Sequence, residues 1–142
     1  MRPDEARGLF ATARVARLAT ADVEARPHLV PICFALDGDQ IFTAVDQKPK
    51  RSVRLRRLDN LAANPQASAL ADLYDDDWSS LWWVRADGTA RVIAPGSPEH
   101  RRIVELLTDR YDQYRDDPPA GPAIALEVSH WTGWRYDQAG EG

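Results

Sequence analysis

Six cationic side chains and no acidic one lie within a ten-residue segment of a chain whose net charge is −4. They are Lys48, Lys50, Arg51, Arg54, Arg56 and Arg57. Like charges this close repel one another, so a bound anion is a natural reason to keep them together. The simpler alternative is a solvated helix face, because most charged runs lie in water.

The position of this cationic segment favours a phosphate site. It passes from a predicted strand into a predicted helix, whose first backbone N–H groups attract phosphate. Arg56 and Arg57 stand among Leu55, Leu58 and Leu61, so at least one guanidinium should lie near the apolar side of the helix. A guanidinium there suits bidentate phosphate binding. Nucleic-acid binding is disfavoured, because the whole chain is acidic and such domains are usually basic.

Tryptophan is concentrated in one segment, where Trp78, Trp82 and Trp83 lie within six residues. Neighbouring residues of a strand point to opposite faces, so Trp82 and Trp83 cannot both fill one core. One of them should cover a ring system, a partner subunit or an exposed patch. Packing in the core and in a dimer interface is the alternative. Trp131 and Trp134 raise the same question.

The sequence offers no arrangement typical of a hydrolytic enzyme. Its histidines, His28, His100 and His130, have no metal-ligand spacing, and no G-x-S-x-G motif occurs. Cys33 lies in an apolar stretch and is interpreted as a core residue. Without a nucleophile and its base, the hard chemistry is expected to come from a bound cofactor.

Composition is that of an ordinary globular protein. Its 142 residues suit a single domain with a real core, which we expect to span residues 1–142. No run of 18 or more apolar residues could span a membrane, and the first residues lack the order of a secretory signal. A single cysteine excludes an internal disulfide framework. We therefore expect a cytoplasmic protein with no membrane or nucleic-acid partner.

Residue patterns predict a mainly β architecture of six or seven mostly antiparallel strands with two or three helices, which suits a β-barrel with helical decorations. The predicted strands span 15–22, 28–36, 40–45, 66–74, 80–86, 89–94 and a last strand or strand pair in 123–136. Helices are predicted near the N-terminus, over 50–63 and after Ser97, the expected N-cap. Asp87-Gly88 predicts a two-residue hairpin turn. Pro31 predicts an edge strand, a bulge or an open backbone position.

Four segments carry a family resemblance. They are RLAT at 17–20, PHLVPICF at 27–34, KPKR…LRRLDNLAANP within 48–65 and DDWSSLWWVRADG at 76–88. Together they resemble the flavin and deazaflavin oxidoreductases related to pyridoxamine 5'-phosphate oxidase, in particular an actinobacterial branch of probable F420-dependent enzymes. The resemblance covers roughly residues 8–136. It implies a split β-barrel, a Greek-key barrel of six or seven antiparallel strands, which forms a homodimer with the cofactor between subunits.

The resemblance also implies a set of cofactor-binding residues. The anionic part of the cofactor would be held by Arg56 and Arg57 at the helix start, with Lys48, Lys50 and Arg51 in the preceding loop. The ring would be lined by the backbone of Val30, Pro31 and Ile32, with Phe42 and Thr43 on the neighbouring strand. Trp78, Trp83 and Trp134 are candidates for stacking on the ring or the acceptor, and the resemblance implies that Trp83 reaches the cofactor from the second subunit.

The activity implied is that of an F420-dependent oxidoreductase, which passes a hydride between the deazaflavin coenzyme and a conjugated small-molecule acceptor. Six cations exceed what the single phosphate of FMN needs, whereas the deazaflavin coenzyme carries a phosphodiester and an oligoglutamate tail. Trp83 stands where flavin-dependent relatives have a polar side chain, which also argues against a flavin. An FMN-binding oxidase and a non-catalytic coenzyme carrier are the alternatives. Tyr74 and the acidic run at 75–77 are possible proton sources.

Overall fold

The computed structural model describes residues 1–45 and 55–136. In chain order the elements are α1 (Pro3–Thr12), β1 (Ala16–Ala21), β2 (Pro27–Ile32), β3 (Ala35–Asp37), β4 (Gln40–Ala44), α2 (Arg56–Ala63), β5 (Gln66–Leu73), a 3-10 turn (Trp78–Ser80), β6 (Trp82–Ile93), α3 (Pro98–Arg110), α4 (Gln113–Asp116) and β7 (Ala123–Arg135). The seven strands form one antiparallel sheet in the order β2-β1-β5-β6-β7-β4-β3. The predicted mainly β architecture is therefore confirmed.

The sheet curls because its two ends are joined in sequence. β2 and β3 stand at opposite ends of the strand order, yet only Cys33 and Phe34 separate them along the chain. The closure is held by side-chain bonds as well, since the Thr43 hydroxyl of β4 donates to the Cys33 carbonyl over 2.7 Å. The Phe34 backbone N–H donates to the Tyr111 hydroxyl over 3.0 Å. These contacts draw the ladder into a barrel.

Aromatic side chains fill the barrel. Phe10, on the buried face of α1, packs edge-to-face on Phe34 at 4.9 Å and on Trp131 at 5.6 Å between ring centroids. A second apolar cluster lies beneath α3, where Ile103 and Leu107 are fully buried. Such burial removes large apolar surfaces from water and stabilises the fold. The inner face of the sheet is therefore committed to packing, while its outer face is available for other contacts.

The predicted hairpin at Asp87-Gly88 is wrong. β6 runs without a turn from Trp82 to Ile93 and pairs along its length with β7, with a change of register between Asp87 and Gly88. A Cβ at Gly88 would lie 1.9 Å from the Glu127 carbonyl oxygen, so glycine permits a close approach of two backbones. Asp-Gly therefore marks a β-bulge, which also favours glycine.

Other boundaries follow the predictions with smaller changes. The predicted strand at 28–36 divides into β2 and β3, and the segment at 123–136 contains one strand. Ser97 caps α3, because its hydroxyl accepts from the His100 backbone N–H over 3.1 Å. Of the helix predicted over 50–63, the described part is α2. No helix within the described ranges is long and apolar enough to cross a membrane.

Candidate functional site

β2 offers an open strand edge. Its described ladder contacts are all with β1, where Pro31 stands opposite Arg17. Pro31 is exposed, Val30 is half-buried and Ile32 is buried at 6% exposure. Proline lacks a backbone N–H, so an edge strand is where it is tolerated. Of the three alternatives that Pro31 left, the structure shows the edge strand, and among the described strands none pairs with the outer edge of β2.

The position of β4 differs from the prediction. Phe42 and Thr43 were expected on the strand next to β2, but β4 pairs with β3 and β7. Both side chains are buried at 5% exposure. Thr43 still reaches the end of β2, through its 2.7 Å hydrogen bond to the Cys33 carbonyl. The predicted pairing of β4 with β2 was wrong. The bend between β2 and β3 brings β4 close to the end of β2, but the two strands do not pair in the sheet.

Arg57 has an unusual environment at the start of α2. Its side chain is half-buried, and its Nε is enclosed without a hydrogen-bond partner. Burial lowers the pKa of this guanidinium from its ordinary value. A buried, unpaired polar group is costly, and native proteins rarely keep one without a reason. Arg56, its neighbour in the same helical turn, is exposed.

Among the residues that the structure describes, no side chain caps the N-terminus of α2. Leu55 occupies the N-cap position and contributes no side-chain hydrogen bond, unlike Ser97 of α3. The first backbone N–H groups of a helix have no partner within the helix, and they favour negative charge. Arg56, Arg57 and these N–H groups therefore form one cationic turn. The other predicted cations of the site, Lys48, Lys50 and Arg51, lie outside the described residues, as does Arg54.

A buried polar contact fixes α2 on the barrel. Asn60, one turn after Arg57, is 3% exposed and donates to the Thr20 hydroxyl of β1 over 3.0 Å. His28 stands opposite Thr20 on β2, and its Nδ1 is likewise enclosed without a partner. Sequence reasoning missed Asn60 and the inward position of His28. The alternation of His28 with Val30 and Ile32 was the signal for the latter, since every second strand residue faces one way.

The tryptophans divide as strand geometry predicts. Trp82 is buried in the core at 9% exposure, whereas Trp83 lies half-buried on the outer face. Trp83 stands opposite Trp134 of β7 and Asp72 of β5 in the ladder. Together with neighbouring apolar side chains they line a pocket of about 260 Å³. Trp78, 60% exposed on the 3-10 turn, does not line this pocket.

Within one protomer, Trp83 does not lie close to the edge of β2, where the ring of the cofactor was predicted to bind. Three strand spacings separate β2 from β6 in the sheet, which is about 14 Å. A ring lying along Val30 to Ile32 would thus be remote from Trp83 of the same chain. Arg57 is linked to β1 through Asn60, close to β2, so the cationic turn and the strand edge can belong to one site.

A curled seven-stranded antiparallel sheet with helices packed on it is the architecture of a split β-barrel. The sequence profile of pyridoxamine 5'-phosphate oxidase matches residues 3–135. The chain belongs to the pyridoxamine 5'-phosphate oxidase family. The predicted split barrel is therefore confirmed. No curated protein sequence matches the chain.

Solved structures of low sequence identity share the fold. A conserved hypothetical protein from Mycobacterium tuberculosis has a TM-score of 0.76 and 21% identity, with 99% of this chain and 88% of that chain covered. The heme storage protein of Vibrio cholerae has a TM-score of 0.72 and 17% identity, covering 95% of each chain. A FAD-binding protein from Mesorhizobium loti has a TM-score of 0.70 and 19% identity, covering 94% of each.

Proposed function

We propose that this protein is an F420-dependent oxidoreductase that transfers a hydride between the deazaflavin coenzyme and a conjugated small-molecule acceptor. The observation that carries the proposal is the Arg57 guanidinium, half-buried with its Nε unpartnered at the uncapped start of α2. An anionic group would supply a partner for the Arg57 Nε and could also accept from the first backbone N–H groups of α2. Charge-assisted hydrogen bonds of this kind are among the strongest in proteins.

The amount of positive charge supports the deazaflavin over FMN. Arg56 and Arg57 alone can hold one phosphate, and the sequence places four further cations immediately before Leu55. These suit the phosphodiester and the oligoglutamate tail of the deazaflavin coenzyme. Lys48, Lys50 and Arg51 are proposed to bind that tail, in keeping with the cationic segment of an otherwise acidic chain.

The proposed hydride transfer requires little acid–base chemistry from the protein. A bound deazaflavin supplies hydride transfer at its ring. The cationic turn would hold the anionic end, and the open edge of β2, from Val30 to Ile32, would align the ring plane. Hydride transfer depends on alignment and the exclusion of water, which an apolar barrel surface can provide.

A homodimer would complete this site. Trp83 is about 14 Å from β2 across the sheet of its own protomer, so we propose that it approaches the ring bound to the other subunit. Its half-buried indole presents an apolar face suited to stacking. Trp78 is highly exposed and could be covered in the same way.

A flavin-dependent oxidase is the second candidate. The matching family is named for an oxidase, and the Mesorhizobium protein of the same fold is a FAD-binding protein. The Vibrio protein of the same fold is a heme storage protein, so hemin should be titrated beside the two ring cofactors. A carrier that binds the coenzyme without turnover is distinguished by kinetics alone.

Cofactor titration tests the proposal. Tryptophan fluorescence should be quenched by the deazaflavin at lower concentration than by FMN or hemin. Arg57→Ala should weaken deazaflavin binding by about 1–3 kcal/mol, roughly 5- to 150-fold in Kd, and Lys50→Ala should add to this loss. Arg115→Ala, on exposed α4, is the matched control and should bind normally. Unchanged binding by Arg57→Ala would contradict the assigned site, and tighter FMN binding would favour the oxidase.

Stability and turnover give two independent readouts. Removing Arg57 should lower the free energy of unfolding only slightly without cofactor, because its buried Nε makes no hydrogen bond and only the packing of its half-buried stem is lost. A large loss of stability would instead indicate a structural role. Reduced deazaflavin should be oxidised by the protein in the presence of a conjugated acceptor. Tight binding with no turnover across an acceptor panel would identify a carrier.

A further inference from the structure

Two buried side-chain nitrogens without a hydrogen-bond partner lie at the junction of α2 with the first two strands. Among residues 1–45 and 55–136 they are the Nε of Arg57 and the Nδ1 of His28. Leaving such a group unpaired costs free energy, and native proteins rarely keep one without a reason. The proposed function gives a partner to Arg57 but none to His28. The His28 Nδ1 is therefore left with an unmet hydrogen bond beside the proposed site.

The strand register places the His28 side chain on the face that α2 covers. His28 of β2 stands directly opposite Thr20 of β1, and residues paired in this way project to the same side of a sheet, with Cβ atoms about 4.5–5.5 Å apart. The Thr20 hydroxyl accepts the 3.0 Å hydrogen bond from Asn60 of α2, so this side lies beneath the helix. His28 thus adjoins the point where α2 is fixed to the barrel.

Arg57 adjoins the same point from the helix. It precedes Asn60 by three residues, and side chains at this spacing are neighbours on a helix surface, with about 5–6 Å between Cβ atoms. Arg57 and His28 are therefore both immediate neighbours of the contact between Asn60 and Thr20. Their two unpaired nitrogens do not bond each other. One group with several acceptor oxygens could satisfy both.

We infer that His28 binds the phosphate group of the cofactor together with Arg57, its Nδ1–H donating to a phosphate oxygen. A phosphate presents its oxygens in several directions, so it can accept from a strand and from a helix start at the same time. The first backbone N–H groups of α2 favour the same negative charge. The inference rests on the proposed function, because it places His28 in the same cofactor site, but it concerns the phosphate and not the ring.

Paired probes with and without phosphate test this role. The deazaflavin coenzyme is compared with the same ring compound lacking the phosphodiester and tail, and FMN is compared with riboflavin. Binding to the full chain is followed by tryptophan fluorescence. His28→Leu should weaken binding of the phosphorylated member about tenfold or more, as expected for a lost hydrogen bond to a charged group, and leave its phosphate-free partner unchanged. An equal effect on both members, or no effect on either, would overturn the inference.

A conservative variant separates hydrogen bonding from packing. The side-chain amide nitrogen of asparagine can occupy the position of the histidine Nδ1, so His28→Asn should keep most of the affinity that His28→Leu loses. The same loss in both variants would contradict the assigned hydrogen bond. His130→Leu, at an exposed histidine of β7, is the matched control and should bind normally.

Nitrogen-15 NMR of the wild type gives a readout that a folding defect cannot imitate. The Nδ1 signal of His28, assigned by its loss in His28→Asn, should move more on saturation with the phosphorylated probe than with its phosphate-free partner. A signal that responds equally to both would overturn the inference, even if His28→Leu fails to fold.

The outcomes distinguish this inference from the proposed function. If the wild type binds FMN and not the deazaflavin coenzyme, and FMN binding depends on His28 as above, the deazaflavin assignment fails and the phosphate role of His28 stands. If the wild type and His28→Leu bind the deazaflavin coenzyme equally well, the proposed function stands and the inference fails. Binding of neither phosphorylated probe by the wild type would overturn both.

Discussion

Gly88 is the residue at which two long strands meet most closely. An added Cβ would lie 1.9 Å from the Glu127 carbonyl oxygen and 3.1 Å from the Val128 Cα, both of them backbone atoms. Backbone cannot move aside as a flexible side chain can, so the bulge between β6 and β7 depends on glycine. The bulge in turn sets the register that brings Trp83 opposite Trp134.

Gly88→Ala should therefore destabilise the fold. We expect a loss of roughly 1–3 kcal/mol or more in the free energy of unfolding, the range for forced overpacking. Urea denaturation measures it. The control is Gly8→Ala, since nothing lies within 4 Å of a Cβ at this exposed position of α1. Alanine there should add about 0.5–1 kcal/mol through helix propensity. Wild-type stability of Gly88→Ala would contradict the close approach of the strands.

At the scale of elements, local patterns predicted most helices and strands but not which strands adjoin. The helix predicted near the N-terminus is α1, and Ser97 marked the start of α3. The hairpin predicted from Asp87-Gly88 was wrong, because hairpin turns and β-bulges favour the same residue types. Only the long-range pairing of β6 with β7 distinguishes the two, and a local pattern contains no such information.

The candidate site shows the same division between local and long-range information. Arg57 was found because leucines flank it, a local feature that implied partial burial. Asn60 was missed because its partner, Thr20, is 40 residues away in the chain. Phe42 and Thr43 were assigned to a strand beside β2, but the sheet order separates β4 from β2. Topology therefore limited the site prediction more than residue chemistry did.

Asp39 joins two elements to the turn between β3 and β4. Its Oδ1 accepts from Arg7 of α1 over 2.9 Å and from the Trp131 indole of β7 over 3.1 Å. The hydrogen bond from Trp131, followed by that from Arg7, lowers the pKa of Asp39 from its ordinary value. A carboxyl with a lowered folded-state pKa stabilises the fold above its unfolded pKa. That contribution is lost as the pH falls through the folded value.

Asp39→Asn should consequently flatten the acid dependence of stability. The wild type should lose free energy of unfolding as the pH falls from about 5 to about 3, through the unfolded pKa of about 3.9. The variant should be less stable than the wild type at pH 7 and approach it in acid, since the amide does not titrate. Urea denaturation at several pH values provides the measurement. A constant difference between the two proteins across this range would refute the linkage.

At the scale of the whole molecule, the outer sheet face carries exposed apolar side chains among its polar ones. Leu29 is 66% exposed and Leu70 38% exposed, and Pro31 and Arg17 lie between them in the ladder. Leu29 and Pro31 adjoin on the same face of β2 and are both exposed, and adjoining exposed apolar side chains are typical of an interaction surface. The proposed homodimer would cover this face and would also bring Trp83 of one subunit towards β2 of the other.

Leu29→Glu should separate such a dimer. In a two-fold interface both subunits use the same patch, so one substitution introduces two charges into the interface, one from each subunit. Burying an unpaired carboxylate costs several kcal/mol, so the dimer dissociation constant should rise by about two orders of magnitude or more. Val92→Glu is the control, because Val92 is 42% exposed but lies roughly 20 Å along β6 from the residue opposite Leu70. Sedimentation velocity over a concentration series measures both.

Because the proposed cofactor groove lies between subunits, deazaflavin affinity should fall together with dimerisation in Leu29→Glu. A monomeric wild type, or a Leu29→Glu monomer that still binds the coenzyme with full affinity, would show that one chain forms the site alone.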